Sequence, residues 1–176
     1  MNKSNHQLRV EEFMKKIPTQ KVPDKPLDSL NSYEAIQRAK LIFEECMETI
    51  SALGVTIGLR LKEENSIIRP LQLFDFHYLF DANAFNLIEV IDGCCDISVV
   101  TTGTMIALGL PMEPFLEEVD VNNLQKFGEG HSFNAFGKLV KPPRHKPPRI
   151  QEVLDRIKNT NPMYTKTQEF ISDSLV

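Results

Sequence analysis

Apolar positions along the chain recur mostly at helical spacing. Val10, Phe13, Met14 and Ile17 fall at i, i+3, i+4 and i+7, one face of a short amphipathic helix. Pro18, Pro23 and Pro26 then impose an extended connector, because proline neither continues a helix nor lets the residue before it turn helical. Asn31 or Ser32 can cap a second helix, with Glu34 placed as the capping-box partner of Asn31. That helix runs to about Leu53, where Gly54 supplies a stop. On it Ile36, Ala39, Phe43, Cys46, Met47 and Ile50 gather on one side and read as its core stripe. Residues 55–85 break the helical period. They hold Val55, Thr56 and Ile57, then Phe74, Phe76, Tyr78 and Phe80 around Pro70, and read as a hairpin or a pair of short elements. Asn86 to about Leu110 forms a third, mostly apolar helix, and Pro114 to Phe127 a fourth. Gly128 and Gly130 open a basic, proline-rich loop, and Ile150, Val153, Leu154 and Ile157 make one last short helix before a loosely held tail.

The pattern is that of an all-α helical bundle with a small irregular insertion between its second and third helices. The third helix is apolar on too many sides for the short second helix to cover, so assembly with further copies is expected to complete the bundle. At 176 residues the chain is the size of a single domain, 1–176, with 1–30 as helix and connector and 128–176 as basic loop and C-terminal arm.

Composition narrows the chemistry. A hydrophobic content of 41% and a charged content of 25% are ordinary for a globular chain, and a net charge of −4 provides no global attraction to nucleic acid or anionic membrane. The N-terminus has no apolar signal core, and the longest uncharged run, Ile97 to Met112, is too short to span a bilayer. A cytoplasmic protein is the expectation. Cys46, Cys94 and Cys95 form no CxxC pair, which argues against a disulfide framework or a thiolate zinc site. They read as small residues packed where two helices meet.

The carboxylates are the candidate chemistry. Glu45 and Glu48 sit opposite the apolar stripe of the second helix, roughly 60° apart, with Arg38 two turns upstream on the same side. Between Asn86 and Met112 the charged residues are Glu89, Asp92 and Asp96, at i, i+3 and i+7 on an otherwise apolar helix. Carboxylates in apolar surroundings need compensation, and that helix carries no Lys or Arg to supply it. The positive charge comes from another segment or from a bound cation. Hard oxygen donors with no His or Cys on the stripe suit Mg²⁺, with Mn²⁺ as a substitute, rather than zinc. An EExxE run alone better suits a solvated face, since Glu is a good helix former. The apolar setting of Glu89, Asp92 and Asp96 is what tilts the reading towards a metal.

Glu44, Glu45 and Glu48 in RAKLIFEECMETI, followed by Glu89 and Asp92 in EVIDGCCDISVVTTGTMIALGLP, resemble the EExxE and ExxD pair of the all-α nucleotide pyrophosphohydrolase superfamily, the MazG-like enzymes. The likeness is closer to phosphoribosyl-ATP pyrophosphohydrolase-like proteins. VEEFMKKI with VPDKP resembles their opening helix and connector, and EEVDVNNLQKF and GKLVKPPRHKPPRI their closing helix and basic loop. The resemblance implies a MazG-like bundle, a homodimer or homotetramer, and Mg²⁺-dependent hydrolysis of a nucleotide substrate to monophosphate and pyrophosphate. It implies metal ligands at Glu45, Glu48, Glu89 and Asp92, with Asp96 as a further ligand and Glu44 or Glu45 accepting the proton of the attacking water. It also implies phosphate or nucleotide contacts from Asn123, Lys126, Lys138 and Lys141, to which Arg38 is added. The chain departs from the family pattern at Asp120, where a His is usual, at Val99, where an aromatic is usual, and in the length of 55–85. The aromatics of that insertion are expected to choose among nucleotides, since a metal clamp grips phosphates that all nucleotides share.

Two other classes stay open on sequence alone. One is a catalytically silent helical module that senses nucleotides. The other is a nucleic-acid-binding module working through the basic loop, where Lys138, Lys141, Arg144, Lys146 and Arg149 equally suit a solvated segment. That loop has no interleaved aromatics on which bases would stack, which counts against nucleic acid.

Overall fold

Local capping sets where each helix begins. The computed structural model describes residues 3–61, 74–134 and 137–160; the middle of the insertion and the expected loose tail lie outside the described residues. Helix α1 (Asn5–Lys15) starts five residues before its periodic stretch, because the Ser4 side chain accepts the Gln7 N–H at 3.2 Å. Helix α2 (Ser32–Ala52) starts on Asn31, which accepts the Glu34 N–H at 2.9 Å. The Glu34 carboxylate answers by accepting from the Asn31 side-chain amide at 2.7 Å. A hairpin of β1 (Leu53–Leu61) and β2 (Phe74–Phe85) follows, then α3 (Leu87–Ala107), α4 (Glu113–Gln125), the short pair β3 (Ser132–Phe133) and β4 (Leu139–Val140), and α5 (Ile150–Thr160). Among the described residues the regular elements are five helices and two antiparallel strand pairs, the all-α class expected.

The chain divides into two compact units, Asn31–Thr101 and the remainder. In the first, β1 pairs antiparallel with β2 from Leu53↔Phe85 to Leu61↔Phe74, with a register shift between Leu53 and Val55. Gly54 sits in that shift at φ +74°, and a Cβ there would lie 2.3 Å from the Asp81 carbonyl oxygen. The glycine therefore serves the bulge beyond the end of α2. Of the two readings of residues 55–85 the hairpin is the one found, because residues 53–57 and 74–85 are rich in the β-branched and aromatic types that suit a pleated strand. The Asn86 N–H donates to the Ala52 carbonyl at 2.8 Å, and Asn86 Oδ1 accepts the N–H groups of Ile88 and Glu89 at the start of α3. The hairpin is thus stitched to both helices at its base.

The expected core stripe of α2 is not covered. Ile36 is 56% exposed, Phe43 55% and Met47 38%. The residues α2 buries are Arg38 and Thr49, which with half-buried Glu45 recur at seven- and four-residue spacing along a single face. Facing is decided by Gly93 of α3, where a Cβ would lie 2.3 Å from Thr49 Oγ1 and 3.2 Å from Thr49 Cα. Two helices can approach that closely only where one of them lacks a side chain. Cys94 and Cys95, next to this crossing, are exposed free thiols rather than packed residues.

In the other unit, Phe115, Val153 and Ile157 form a core joined by Met105, Leu110 and Leu154, with α5 supplying the strongly one-sided apolar face its spacing implied. Gln7 is buried and saturated: its Nε2 donates to the Leu110 carbonyl at 3.1 Å and its Oε1 accepts the Met112 N–H at 2.9 Å. It clips α1 to the turn between α3 and α4. Gly109 closes α3 at φ +70°, where a Cβ would lie 2.2 Å from the Lys25 carbonyl oxygen. Glu118 on α4 accepts the Arg149 N–H at 2.9 Å, fixing the start of α5. That bond, with the guanidinium beside it, holds the Glu118 carboxyl below the usual carboxylate range.

Candidate metal centre and active site

The Thr49–Gly93 crossing brings the acidic turns of α2 and α3 into one neighbourhood. Thr49 Oγ1 donates to the Glu45 carbonyl at 2.7 Å, so the same residue that meets α3 also ties the turn that presents Glu45. Burial pushes the Glu45 carboxyl above its usual range, and the negative charges of Asp96, Glu48, Glu44 and Asp92 push it the same way. Four of the other acids singled out in the sequence, from two helices, therefore act on Glu45. Glu89 is not among the groups acting on Glu45; it lies at the exposed first turn of α3.

Charge density without convergence is what the structure shows. Glu44, Glu48 and Asp92 are exposed, Glu45 and Asp96 half-buried. Among the described residues, no three Asp, Glu, His or Cys side chains converge on a point that a metal would occupy. The donor chemistry nevertheless fits a hard divalent ion: the groups acting on Glu45 are all carboxylates, and their charge adds to the cost of ionising it. A cation among them would relieve that cost, whereas zinc would find neither imidazole nor a clustered thiolate.

Arg38, expected on the acidic side of α2, is buried on the face shared with Glu45 and Thr49. Burial lowers the basicity of its guanidinium, and Glu34 partly restores it. Asn123 and Lys126 sit at the end of α4, with the Lys126 ammonium bonded to Asn123 Oδ1. Lys138 is exposed, its N–H donating to Asn134 Oδ1 at 2.9 Å, and Lys141 is exposed on the basic loop. These four belong to the other compact unit. Sequence reasoning missed Thr49 and Gly93. The available signal was a glycine inside an apolar helix, which lowers helix propensity unless a close approach needs it.

No curated protein sequence matches the chain. The model of the phosphoribosyl-ATP pyrophosphohydrolase family does match, over residues 10–123. The matched stretch takes in α2, the hairpin, α3 and most of α4, and hence every acid of the candidate site and Asn123, while Lys126, Lys138 and Lys141 lie beyond it. The chain therefore belongs to the phosphoribosyl-ATP pyrophosphohydrolase family, hydrolases of phosphoric anhydride bonds within the MazG-like nucleotide pyrophosphohydrolase superfamily.

Proposed function

We propose that this protein cleaves the α–β phosphoanhydride bond of a nucleoside triphosphate or related nucleotide, releasing the monophosphate and pyrophosphate. The ion would be Mg²⁺, with Mn²⁺ as a substitute, held by Glu45, Glu48, Glu89, Asp92 and Asp96. The observation that carries this reading is the action of Glu44, Glu48, Asp92 and Asp96, from two helices, on the Glu45 carboxyl in a pyrophosphohydrolase-family chain. When bound, the ion supplies positive charge against the phosphate oxygens and makes water a better nucleophile. Glu44 or Glu45 would take the proton from the attacking water, being a carboxylate beside the ligand set. Buried Arg38 is one turn from Glu34 and two from Glu45, and orients the α2 acids or meets phosphate. Asn123, Lys126, Lys138 and Lys141 supply amide and ammonium donors suited to phosphate oxygens. Assembly as a homodimer or homotetramer belongs to the same reading, because α2 leaves its apolar stripe open.

A screen of nucleoside triphosphates with Mg²⁺, following pyrophosphate release, tests the reaction. Monophosphate and pyrophosphate in equal amounts are expected from at least one nucleotide. Release of orthophosphate instead, or turnover undiminished by a chelator, would contradict it.

A further inference from the structure

Among the described residues, the outer strand of the β1–β2 hairpin is left uncovered. On β2, Tyr78 is 68% exposed, Leu79 66% and Phe80 70%, so apolar groups stand open on both faces of the pair. An isolated two-stranded hairpin is marginal in water, and an apolar edge left open invites unwanted pairing. The same compact unit leaves a second apolar surface open: Ile36, Phe43 and Met47 on α2, at helical spacing.

We propose that the hairpin is an assembly arm that lies along the α2 stripe of a second copy of this chain. The inference rests on the oligomeric part of the proposed function and names the surfaces that carry it. Three observations favour a second copy over an unrelated partner. The two open surfaces belong to one chain, so a two-fold axis would cover hairpin with helix twice over. Their lengths are comparable: Phe76 to Phe80 on β2 spans roughly 13 Å, and Ile36 to Met47 on α2 roughly 17 Å. The area suffices. Tyr78 and Phe80, on one face of β2, with Ile36, Phe43 and Met47 on α2 leave open on the order of 600 Å², and Phe76 on the same face and Tyr33 bring the surface near the ~800 Å² per partner of a standard interface. The proposal gives the aromatics of the insertion a partner in the assembly rather than in the nucleotide.

Sedimentation velocity across the micromolar range tests it, with Phe80→Lys on the arm and Phe43→Glu on the helix. Wild-type protein sediments as a dimer or larger. Each variant alone dissociates with a constant raised on the order of 10³-fold, because an aromatic anchor is lost at two symmetric places. An equimolar mixture of the two variants reassembles, since the new charges then face each other across the interface. Leu124→Lys, on the equally exposed Leu124 of α4, leaves assembly unchanged. A monomeric wild type overturns both the arm and the oligomeric reading. An oligomer indifferent to both substitutions, or variants whose mixture stays dissociated, overturns the arm alone. So does a change in nucleotide preference with assembly intact. Should either variant fail to fold, amide exchange of the wild type decides: protection at residues 76–81 falls on dilution if the arm is covered by a second copy, and the arm is overturned if protection is independent of concentration. Apart from nucleotide preference, none of these readouts uses pyrophosphate release, so the catalytic reading stands or falls separately.

Discussion

Replacing Gly93 by alanine probes the crossing on which the acidic site is framed. The added Cβ would lie 2.3 Å from Thr49 Oγ1, 3.1 Å from Thr49 Cβ and 3.2 Å from Thr49 Cα. Rotating the hydroxyl away relieves the shortest of these and breaks its bond to the Glu45 carbonyl, worth about 0.5–1.5 kcal/mol. The other two approaches, to the carbon atoms of Thr49, stay tight and force α2 and α3 apart. Overpacking of this kind costs about 1–3 kcal/mol, and the better helix propensity of alanine returns about 1 kcal/mol. The net expectation is a loss of about 0.5–3.5 kcal/mol, a fall in Tm of about 2–4 °C per kcal/mol for a chain of this size. Activity should suffer more than stability, since moving catalytic groups by about 1 Å costs on the order of 10²-fold. A calorimetric melt beside a pyrophosphate-release assay reads both. Adding Thr49→Ala removes the hydroxyl and should recover part of each loss, a non-additive coupling that distant residues would not show. A Gly93→Ala protein that melts above wild type with full activity would refute the close crossing.

Further outcomes follow from the same geometry. Mg²⁺ or Mn²⁺ should raise Tm by binding only the native state, and a Glu48→Gln, Asp92→Asn double variant should lose that rise; an undiminished rise would place the ion elsewhere. Without metal, Glu45→Gln should stabilise the fold at neutral pH. The Glu45 carboxyl is raised above 4.5, so its ionisation costs the folded state; the penalty is absent below 4.5 and grows as pH rises through the folded value. Chemical denaturation across pH should therefore show the gain from Glu45→Gln vanishing in acid, and a gain that persists there would contradict the cause. Gln7→Ala leaves the Leu110 carbonyl and Met112 N–H without their partner and should cost about 1–3 kcal/mol by urea denaturation, a neutral result showing that Gln7 clips nothing. Glu118→Gln should weaken the hold on α5 chiefly above the normal carboxylate range, because a lowered carboxyl stabilises the fold when ionised and loses that contribution as pH falls. Amide exchange in Ile150–Thr160 reads it.

What was legible in the sequence was local. Asn31 and Asn86 mark helix starts through side-chain bonds made within a few residues, Pro114 through its fixed φ and Gly109 a helix end through its positive φ, and each stands where the structure starts or stops a helix. The acids on α2 and α3 could be picked out because their spacing places each set on a helix face. The burial of α2 was not legible. Its apolar residues pointed to Ile36, Phe43 and Met47 as the inner face, but burial depends on which surfaces meet, and these three stay exposed among the described residues. The face that α3 touches carries Arg38, Glu45 and Thr49, and the decisive residue is a glycine with no side chain to enter a hydrophobic pattern. The hairpin was half legible: β-branched and aromatic residues signalled strands, while their register was set by pairing and by the bulge at Gly54.

The central claim is that acids from α2 and α3 jointly hold a divalent cation. Electron paramagnetic resonance of Mn²⁺ titrated into the protein tests it most directly, because free and bound Mn²⁺ give distinct signals without any substrate. Wild-type protein should bind Mn²⁺ with Mg²⁺ competing for it, and Glu48→Gln on α2 and Asp92→Asn on α3 should each weaken that binding. Mn²⁺ binding unchanged in both variants, with their helical content intact, would contradict the account.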